Sequence, residues 1–244
     1  MLGIVLAAGG GTRLRPLTDA LPKTLLPVEG DRTIFELAVV NLREVGITDV
    51  VVVTGHAAKL IEDCGAVLEQ RYGVTLHLVF NERYADWNNA YSLWLARAAF
   101  HEAALLVNGD TVHPVDVQRR LLEARGQAPV LLALDDHKRL GEEEMKVRLA
   151  ADGSLTRINK ALDPDAVDGE YIGVSLIEPD AAEPLAQALE ATFQRDPGLY
   201  YEDGYQELVD RGGQVRTAGI GDVRWVEVDN HDDLARARQI ACRF

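Results

Sequence analysis

The sequence is poor in cysteine and in basic residues. It has two cysteines, Cys64 and Cys242, and no Cys-x-x-Cys motif or Cys/His cluster, which argues against a disulfide framework and a structural zinc site. Lys and Arg total 25 against 39 Asp and Glu, so the formal net charge is −14. A field of that sign repels nucleic acid and anionic membranes. An anionic ligand must therefore meet a local cluster of donors or a metal ion.

Long apolar runs are also missing. No stretch approaches the ~20 apolar residues that a membrane span requires. The opening segment, MLGIVLAAGGGTR, lacks a basic start and is interrupted by glycines, so it predicts a buried strand and not a signal peptide. We therefore expect a cytoplasmic protein with no nucleic-acid or membrane partner. A homodimer is one option for its assembly.

The first half of the chain alternates short β-rich segments with helical ones. The apolar runs at 2–7 and 49–54 are typical of parallel strands covered by helices on both faces, and 33–46 between them has helical spacing. Further strands are expected at 75–80, 103–107 and 130–134, and further helices at 57–72, 88–100 and 115–125. This alternation predicts an α/β fold with a doubly wound parallel sheet.

The pattern changes near residue 145. Segment 146–162, KVRLAADGSLTRINKAL, has two short β-rich runs around a D-G turn, which is typical of a hairpin. Strands are then expected at 172–177, 214–218 and 225–228, and helices at 180–195, at 200–211 and from 231. We interpret this half as an addition to the same sheet, so that residues 1–244 form a single domain.

A glycine-rich turn, AAGGGTRLRPLT, follows the first strand. Glycines let backbone N–H groups approach phosphate oxygens, and Arg13 and Lys23 add the positive charge that the chain otherwise lacks. GGGTR matches neither G-x-G-x-x-G nor the P-loop motif. The second strand ends in VVTGH without a ribose-binding acid, so we discard a Rossmann oxidoreductase. A purely structural turn remains an alternative.

The glycine turn followed by LPKTLLPV resembles the signature of nucleotidyltransferases that make sugar nucleotides and CDP-alcohols, which is a strand, AAGxGTRLxPLT and then PKxLLPV. The resemblance implies a single Rossmann-like domain: a mixed, mostly parallel sheet flanked by helices, with a nucleotide-binding half at 1–140 and an acceptor-binding half at 141–244. It implies that Arg13 and Lys23 are catalytic. The implied nucleotide-binding residues are Leu6, Ala8, Gly9, Gly10, Gly11, Thr12, Asn88, Asn89, Ser92 and Asp110.

Two aspartates follow predicted strands. Asp110 comes after 103–107 and Asp229 after 225–228, and an α/β sheet binds its ligands at such strand ends. Two carboxylates there can hold one Mg²⁺ together with phosphate oxygens, although each aspartate is equally suited to a turn or a helix cap. In the similar enzymes a late D-x-D or E-x-D motif supplies a metal ligand. The resemblance therefore implies Mg²⁺ on Asp110 and Asp229, with Glu227 where many relatives carry Asp.

The middle of the chain indicates the branch of the family. Segment 81–96, NERYADWNNAYSLWLA, is similar to the motif N-x-x-Y-A-x-x-N-N-x-Y-S-L of bacterial phosphocholine cytidylyltransferases, and the second half resembles inositol-phosphate and phosphonate cytidylyltransferases. The resemblance implies CMP transfer from CTP to a small phosphorylated or phosphonylated alcohol. The expected acceptor-binding residues are Lys146, Lys160, Glu170, Tyr201, Glu202 and Asp203.

Alternatives stay open at this point. Asn88, Asn89 and Ser92 are also good helix-capping residues, and a lysine on a hairpin is usually solvated. A uridylyl- or thymidylyltransferase acting on a sugar 1-phosphate would share the first motif. An inositol-1-phosphate cytidylyltransferase is a further option, and a non-catalytic nucleotide-binding relative comes from another functional class.

Overall fold

The computed structural model describes residues 1–243, and nine of its strands form one sheet. The strands are β1 (Leu2–Ala7), β2 (Pro27–Glu29), β3 (Arg32–Thr33), β4 (Asp49–Thr54), β5 (Thr75–Phe80), β6 (Ala104–Asn108), β7 (Thr111–Val112), β8 (Val130–Asp135), β9 (Lys146–Leu149), β10 (Leu155–Asn159), β11 (Gly169–Ile177), β12 (Val215–Gly219) and β13 (Val226–Glu227). The helices are α1 (Ile34–Glu44), α2 (Ala58–Tyr72), α3 (Asn89–Leu95), α4 (Asp116–Glu123), α5 (Ala182–Arg195), α6 (Tyr201–Asp210) and α7 (His231–Ala241).

The sheet is mixed and mostly parallel, as the sequence predicts. Its order is β10-β9-β11-β6-β1-β4-β5, and β8 pairs with both β11 and β12. Following these pairings, β5, β4, β1, β6, β8, β12 and β9 run in one direction, whereas β10 and β11 run against it. The predicted hairpin is β9 and β10, which extends the sheet beside β11.

Strands β1 and β6 are buried on both faces because their side chains alternate between two apolar layers. Ile4 and Leu106 belong to one buried cluster, and Val5 and Leu105 belong to the cluster on the opposite face. A strand covered on both sides must be apolar along its whole length, which is the pattern that the sequence shows. Because β1 and β6 pair in parallel, their carboxyl ends lie side by side at one edge of the sheet.

Two predicted elements differ from the structure. The helix predicted at 88–100 is divided into α3 and a 3₁₀ turn at Arg97–Glu102. The strand predicted at 225–228 is shorter and does not join the main sheet, because β13 pairs with β7 in a separate two-stranded ribbon. None of the helices within residues 1–243 combines the length and apolarity needed to cross a membrane.

Candidate active site

A cavity of about 310 Å³ opens at the carboxyl ends of β1 and β6. The segments that follow β1, β5, β6 and β13 supply part of its walls. The rest comes from β11, the β9–β10 hairpin with its flanks, and the starts of α3 and α6. Parallel sheets bind ligands at this edge because the loops that leave neighbouring strands converge there. The pocket therefore gathers residues from both halves of the chain.

The glycine turn forms one wall of the pocket. Gly11 has a φ of 60°, in the left-handed region that favours glycine, and its carbonyl accepts a hydrogen bond of 2.7 Å from the Thr18 hydroxyl. Within residues 1–243, the amide N–H groups of Gly9, Gly10 and Gly11 donate to no protein acceptor. Consecutive free amides of this kind can bind an anion such as a phosphate.

Replacing Gly11 with alanine is expected to lower both stability and activity. A Cβ at Gly11 would lie 2.8 Å from the Cβ of Lys23, in addition to the strain of about 1–3 kcal/mol from a positive φ. Gly30→Ala is the matched control, because Gly30 has a φ of 57° and open space around its Cβ. We expect both variants to lose stability in thermal unfolding, Gly11→Ala the more because of the clash with Lys23, and only Gly11→Ala to lose turnover as well. Equal activity in both would contradict a functional role for this turn.

Lys23 lies at the centre of the charged part of the pocket. It begins a 3₁₀ turn, and its Nζ is 2.8 Å from Asp110 and 2.9 Å from Asp229. Burial by itself lowers the pKa of Lys23, but the attraction of the two carboxylates outweighs it and raises the pKa above its ordinary value. The ammonium group is therefore fully charged at neutral pH.

Asp110, Glu227 and Asp229 form an acidic cluster whose carboxylate oxygens lie within 4.8 Å of one another. The ribbon of β7 and β13 brings them together, and the Val228 N–H donates to the Asp110 carbonyl at 2.9 Å. Oδ1 of Asp110 is buried with no hydrogen-bond partner in the described part of the chain. Hard cations prefer such oxygen ligands, so the cluster fits a divalent metal ion.

The pKa shifts of the acidic residues are consistent with a cation site. Burial and repulsion from Asp110 and Asp229 raise the pKa of Glu227 above its ordinary value. For Asp229, burial acts to raise the pKa, but Lys23 and Arg13 lower it below the ordinary value. Arg13 lies at the mouth of the pocket, with a guanidinium nitrogen 3.2 Å from Asp229. A bound cation would relieve the repulsion that Glu227 experiences.

The residues predicted to bind nucleotide are mostly brought together. Those that line the pocket are Leu6, Ala8, Gly9, Gly11, Asn88, Asn89, Ser92 and Asp110. Gly10 and Thr12 do not line it: Gly10 faces the ring of His56, and Thr12 begins a 3₁₀ turn. Asn88 also caps α3 by accepting the Asn89 N–H, so its capping role and a place in the pocket coexist.

The predicted acceptor residues divide into two groups. Lys160 and Glu202 line the pocket. Lys146 does not, which corrects the prediction: its side chain is fully buried, and its Nζ donates to the carbonyl oxygens of Glu142, Glu144 and Lys160. Because those carbonyls satisfy its donors, Lys146 supports the hairpin and offers no group to an acceptor.

Glu170, Tyr201 and Asp203 also lie outside the pocket lining, so their predicted contact with an acceptor stays a prediction. Glu170 is buried against Lys138, with oxygen and nitrogen 2.6 Å apart. Tyr201 is fully buried, and its hydroxyl donates to the Asn108 side chain at 2.9 Å. Asp203 caps α6 by accepting the Tyr200 N–H. Each side chain is engaged within the protein.

Among the pocket-lining residues that the sequence-based set of ligand contacts leaves out, two belong to the polar part of the site. Glu227 belongs to the acidic cluster, and its signal was the E-x-D motif in which it precedes Asp229. Asn81 lines the pocket and donates a hydrogen bond to Ser92. Asn81 stands first in the middle motif, but nothing in the spacing predicts that it contacts Ser92.

A glycine turn with free amides, a buried lysine and an acidic cluster at the edge of an α/β sheet are features suited to binding phosphate groups. The family comparison is more specific. Residues 2–138, more than half of the chain, match the nucleotidyl transferase family. The chain belongs to this family, and the expected family membership is confirmed.

Two relatives and one solved structure illustrate the similarity. The chain is 42% identical over 97 residues to choline-phosphate cytidylyltransferase from Streptococcus pneumoniae, covering 40% of this chain and 39% of that protein. It is 32% identical over 243 residues to CMP-5′-(3-aminopropyl)phosphonate synthase from Streptomyces rubellomurinus, covering 96% of this chain but 38% of that protein. The chain thus spans well under half the length of these two relatives.

The inositol-1-phosphate CTP transferase from T. maritima has the same fold. Its structure superposes with a TM-score of 0.84 at 22% identity, covering 99% of this chain and 95% of that one. At that level of identity the match establishes the architecture of the sheet and its helices, and nothing beyond the fold.

Proposed function

We propose that this protein transfers CMP from CTP to a small phosphorylated or phosphonylated alcohol and releases pyrophosphate. The observation that carries the proposal is the position of the Lys23 ammonium, held between Asp110 and Asp229 beside the free amides of the glycine turn. The similarity to cytidylyltransferases for phosphocholine and for aminopropylphosphonate supports cytosine as the base.

In this reaction an oxygen of the acceptor phosphate attacks the α-phosphorus of CTP, and the bond from that phosphorus to the bridging oxygen breaks. The nucleophile is already an anion, so no general base is required. The work left for the protein is to bring two anions together in line and to neutralise their charge. Lys23 and the turn amides supply positive charge to the phosphates, and Arg13 at the pocket mouth does so for the departing pyrophosphate.

A divalent cation, which we propose to be Mg²⁺, would be held by Asp110 and Asp229 with Glu227 beside them. Its chemical contribution when bound is to neutralise charge on the phosphate oxygens. Without a cation, the negative charge of this cluster would repel the phosphates of CTP, and the net charge of −14 on the whole protein adds to that repulsion. The cluster is therefore better explained as a cation site than as a set of capping residues.

Glu202 favours an acceptor that carries an ammonium group. It is 5% exposed and lines the pocket, and its Oε2 has no hydrogen-bond partner within residues 1–243. Burial raises the pKa of Glu202 to about 8. A buried carboxylate with an unpaired oxygen is best stabilised by a cation that can also donate hydrogen bonds. The rings of Trp87 and Tyr200, which also line the pocket, suit the alkyl part of such an acceptor.

Glu202→Gln is expected to raise KM for 2-aminoethylphosphonate by about tenfold or more, the effect of losing one charge-assisted hydrogen bond. KM for CTP and KM for 2-hydroxyethylphosphonate, which has a hydroxyl in place of the ammonium, should stay within about twofold because neither needs the carboxylate charge. Glu183→Gln on the exposed side of α5 is the control. Equal effects on the two phosphonates would contradict an ammonium site.

The same carboxylate predicts a pH dependence. Because burial raises the pKa of Glu202 to about 8, the group is mostly protonated at pH 7 and must ionise to hold a cation. KM for 2-aminoethylphosphonate should therefore rise as the pH falls below about 8, by up to tenfold per unit. The 2-hydroxyethyl analogue serves as the comparison for ionisation of the acceptor, once each KM is expressed for the phosphonate dianion from that compound's own titration. Identical pH profiles for both would contradict the assignment.

The substrate panel tests the proposal as a whole. Pyrophosphate release is measured with CTP, UTP, dTTP and ATP, each with phosphocholine, 2-aminoethylphosphonate, inositol 1-phosphate and glucose 1-phosphate. We expect CTP with an ammonium-bearing acceptor to be used best. A preference for dTTP or UTP with glucose 1-phosphate would favour the sugar nucleotidyltransferase alternative, which the 26% identity to a glucose-1-phosphate thymidylyltransferase over 98% of the chain keeps open.

A further inference from the structure

The pocket has a neutral polar region besides its charged one. The charged groups, Arg13, Lys23 and the acidic cluster, suit phosphates, whereas Asn81 and Ser92 carry no charge. They line the pocket together with Leu6 and Ala8 at the end of β1. An uncharged nucleobase belongs with uncharged donors and acceptors, since burying it against unpaired charges would be costly. The hydrogen-bonding pattern of Asn81 and Ser92 therefore limits which base can bind there.

Asn81 is fixed in one orientation. It is 1% exposed, its N–H donates to the Thr54 carbonyl at 2.8 Å, and its Oδ1 accepts the Arg83 N–H at 2.8 Å. A backbone N–H can only donate, so the side-chain oxygen must face Arg83 and the amide nitrogen must face the other way. That nitrogen lies 2.9 Å from the Oγ of Ser92 and donates to it.

The orientation of Asn81 decides the role of Ser92. A serine hydroxyl has one hydrogen to donate and two lone pairs. Since the Ser92 oxygen accepts from Asn81, its hydrogen must go elsewhere, and among residues 1–243 the hydroxyl donates to no protein group. Ser92 is 3% exposed and lines the pocket. In the open pocket water can accept this hydrogen, and a bound molecule that displaces the water has to supply an acceptor in its place because a buried donor without one is costly.

We propose that the Asn81–Ser92 pair selects cytosine over uracil by holding the Ser92 hydroxyl as a hydrogen-bond donor to the base. N3 of cytosine is an acceptor and pairs with that hydrogen. N3 of uracil carries a hydrogen, so uracil would place two donors against each other and leave both unpaired. Sites that depend on such a hydrogen bond discriminate strongly against a ligand that lacks it. This inference rests on the proposed function and identifies its base-selecting residues.

Two variants test the pair in opposite directions. Ser92→Ala removes the donor and should weaken CTP binding by about tenfold, whereas UTP binding should not weaken because the conflict between the two donors is removed. Asn81→Asp keeps the shape but replaces the donating amide with an accepting carboxylate. The Ser92 hydroxyl must then donate to the introduced carboxylate and present its lone pairs to the base. This variant should therefore bind UTP more tightly than CTP, the reverse of the wild type.

The experiment is calorimetric titration of the whole protein with CTP and with UTP in the presence of Mg²⁺ and without acceptor. Ser154→Ala, at the tip of the β9–β10 hairpin, controls for a serine-to-alanine change. Thermal unfolding checks that each variant is folded. If Asn81→Asp is unfolded, the comparison of Ser92→Ala with the wild type still tests the inference. An unchanged CTP-to-UTP affinity ratio in folded Ser92→Ala, or a wild type that prefers UTP, would overturn the inference.

The binding measurement separates this inference from the proposed function. CTP selectivity that depends on Ser92, in a protein that releases no pyrophosphate with any acceptor, would support the base-selecting pair and contradict CMP transfer. Pyrophosphate release from CTP with a Ser92-independent affinity ratio would support CMP transfer and contradict the pair.

Discussion

Replacing Lys23 with alanine is expected to lower kcat by about 10²- to 10³-fold, the typical effect of removing one preorganised charge from a phosphoryl-transfer site. The Lys23 ammonium lies 2.8 Å from Asp110 and 2.9 Å from Asp229, and no other lysine within residues 1–243 pairs with either aspartate. Without it the two carboxylates lose their neutralising partner and repel CTP. Pyrophosphate release measured under saturating CTP and acceptor reports the loss.

Lys59→Ala is the matched control for Lys23→Ala. Lys59 is also held by two carboxylates, those of Glu62 and Asp63, but it lies on the exposed surface of α2. Its replacement should leave kcat within about twofold, because surface ion pairs contribute little. Thermal unfolding shows whether Lys23→Ala is folded. If it is unfolded, Lys23→Met, which retains the apolar stem of the side chain, replaces it in the kinetic measurement. Near-normal turnover in a folded Lys23 variant would contradict its catalytic role.

Asp110→Asn should lower kcat to a similar extent, by about 10²- to 10³-fold, and should weaken binding of a divalent cation. The amide keeps the size of the side chain but removes one of the three carboxyl groups of the acidic cluster. Its effect on the metal site is measured without substrate, by the paramagnetic resonance of added Mn²⁺. This readout does not depend on turnover, so it distinguishes loss of the cation from a general loss of activity.

Asp116→Asn is the control for that experiment. Asp116 begins α4 and pairs with Arg119 at the surface, so the same chemical change occurs away from the pocket. We expect wild-type Mn²⁺ affinity and kcat in this variant. Mn²⁺ affinity that is equal in Asp110→Asn and in the wild type would show that the acidic cluster does not hold the cation.

The fold and the centre of the site could be predicted because both depend on local sequence. Apolar runs of strand length mark β1, β4 and β6, and the glycine turn and Lys23 belong to one continuous motif. The placement of Asp110 after β6 follows from the rule that ligands bind at strand ends. These features need no knowledge of which distant segments meet.

The remaining features of the site could not be predicted, because they depend on contacts between separate segments and the spacing of residues does not encode those contacts. The family resemblance implies a shared metal site for Asp110 and Asp229, but spacing does not show how they meet: β13 pairs with β7 outside the main sheet, and that pairing also brings in Glu227. The sequence pattern treats Lys146 as an exposed hairpin residue, yet the chain folds over it and three carbonyls satisfy its ammonium. Likewise, the contact of Asn81 with Ser92 exists only once α3 packs beside the end of β5.

The most direct test is a crystal structure of the protein with CTP and Mn²⁺, in which anomalous scattering locates the metal. We predict a manganese peak on Asp110 and Asp229, the triphosphate along the amides of the turn that begins at Gly9, and the cytosine N3 facing the Ser92 hydroxyl. A nucleotide bound elsewhere, or a metal peak away from those two carboxylates, would contradict the account.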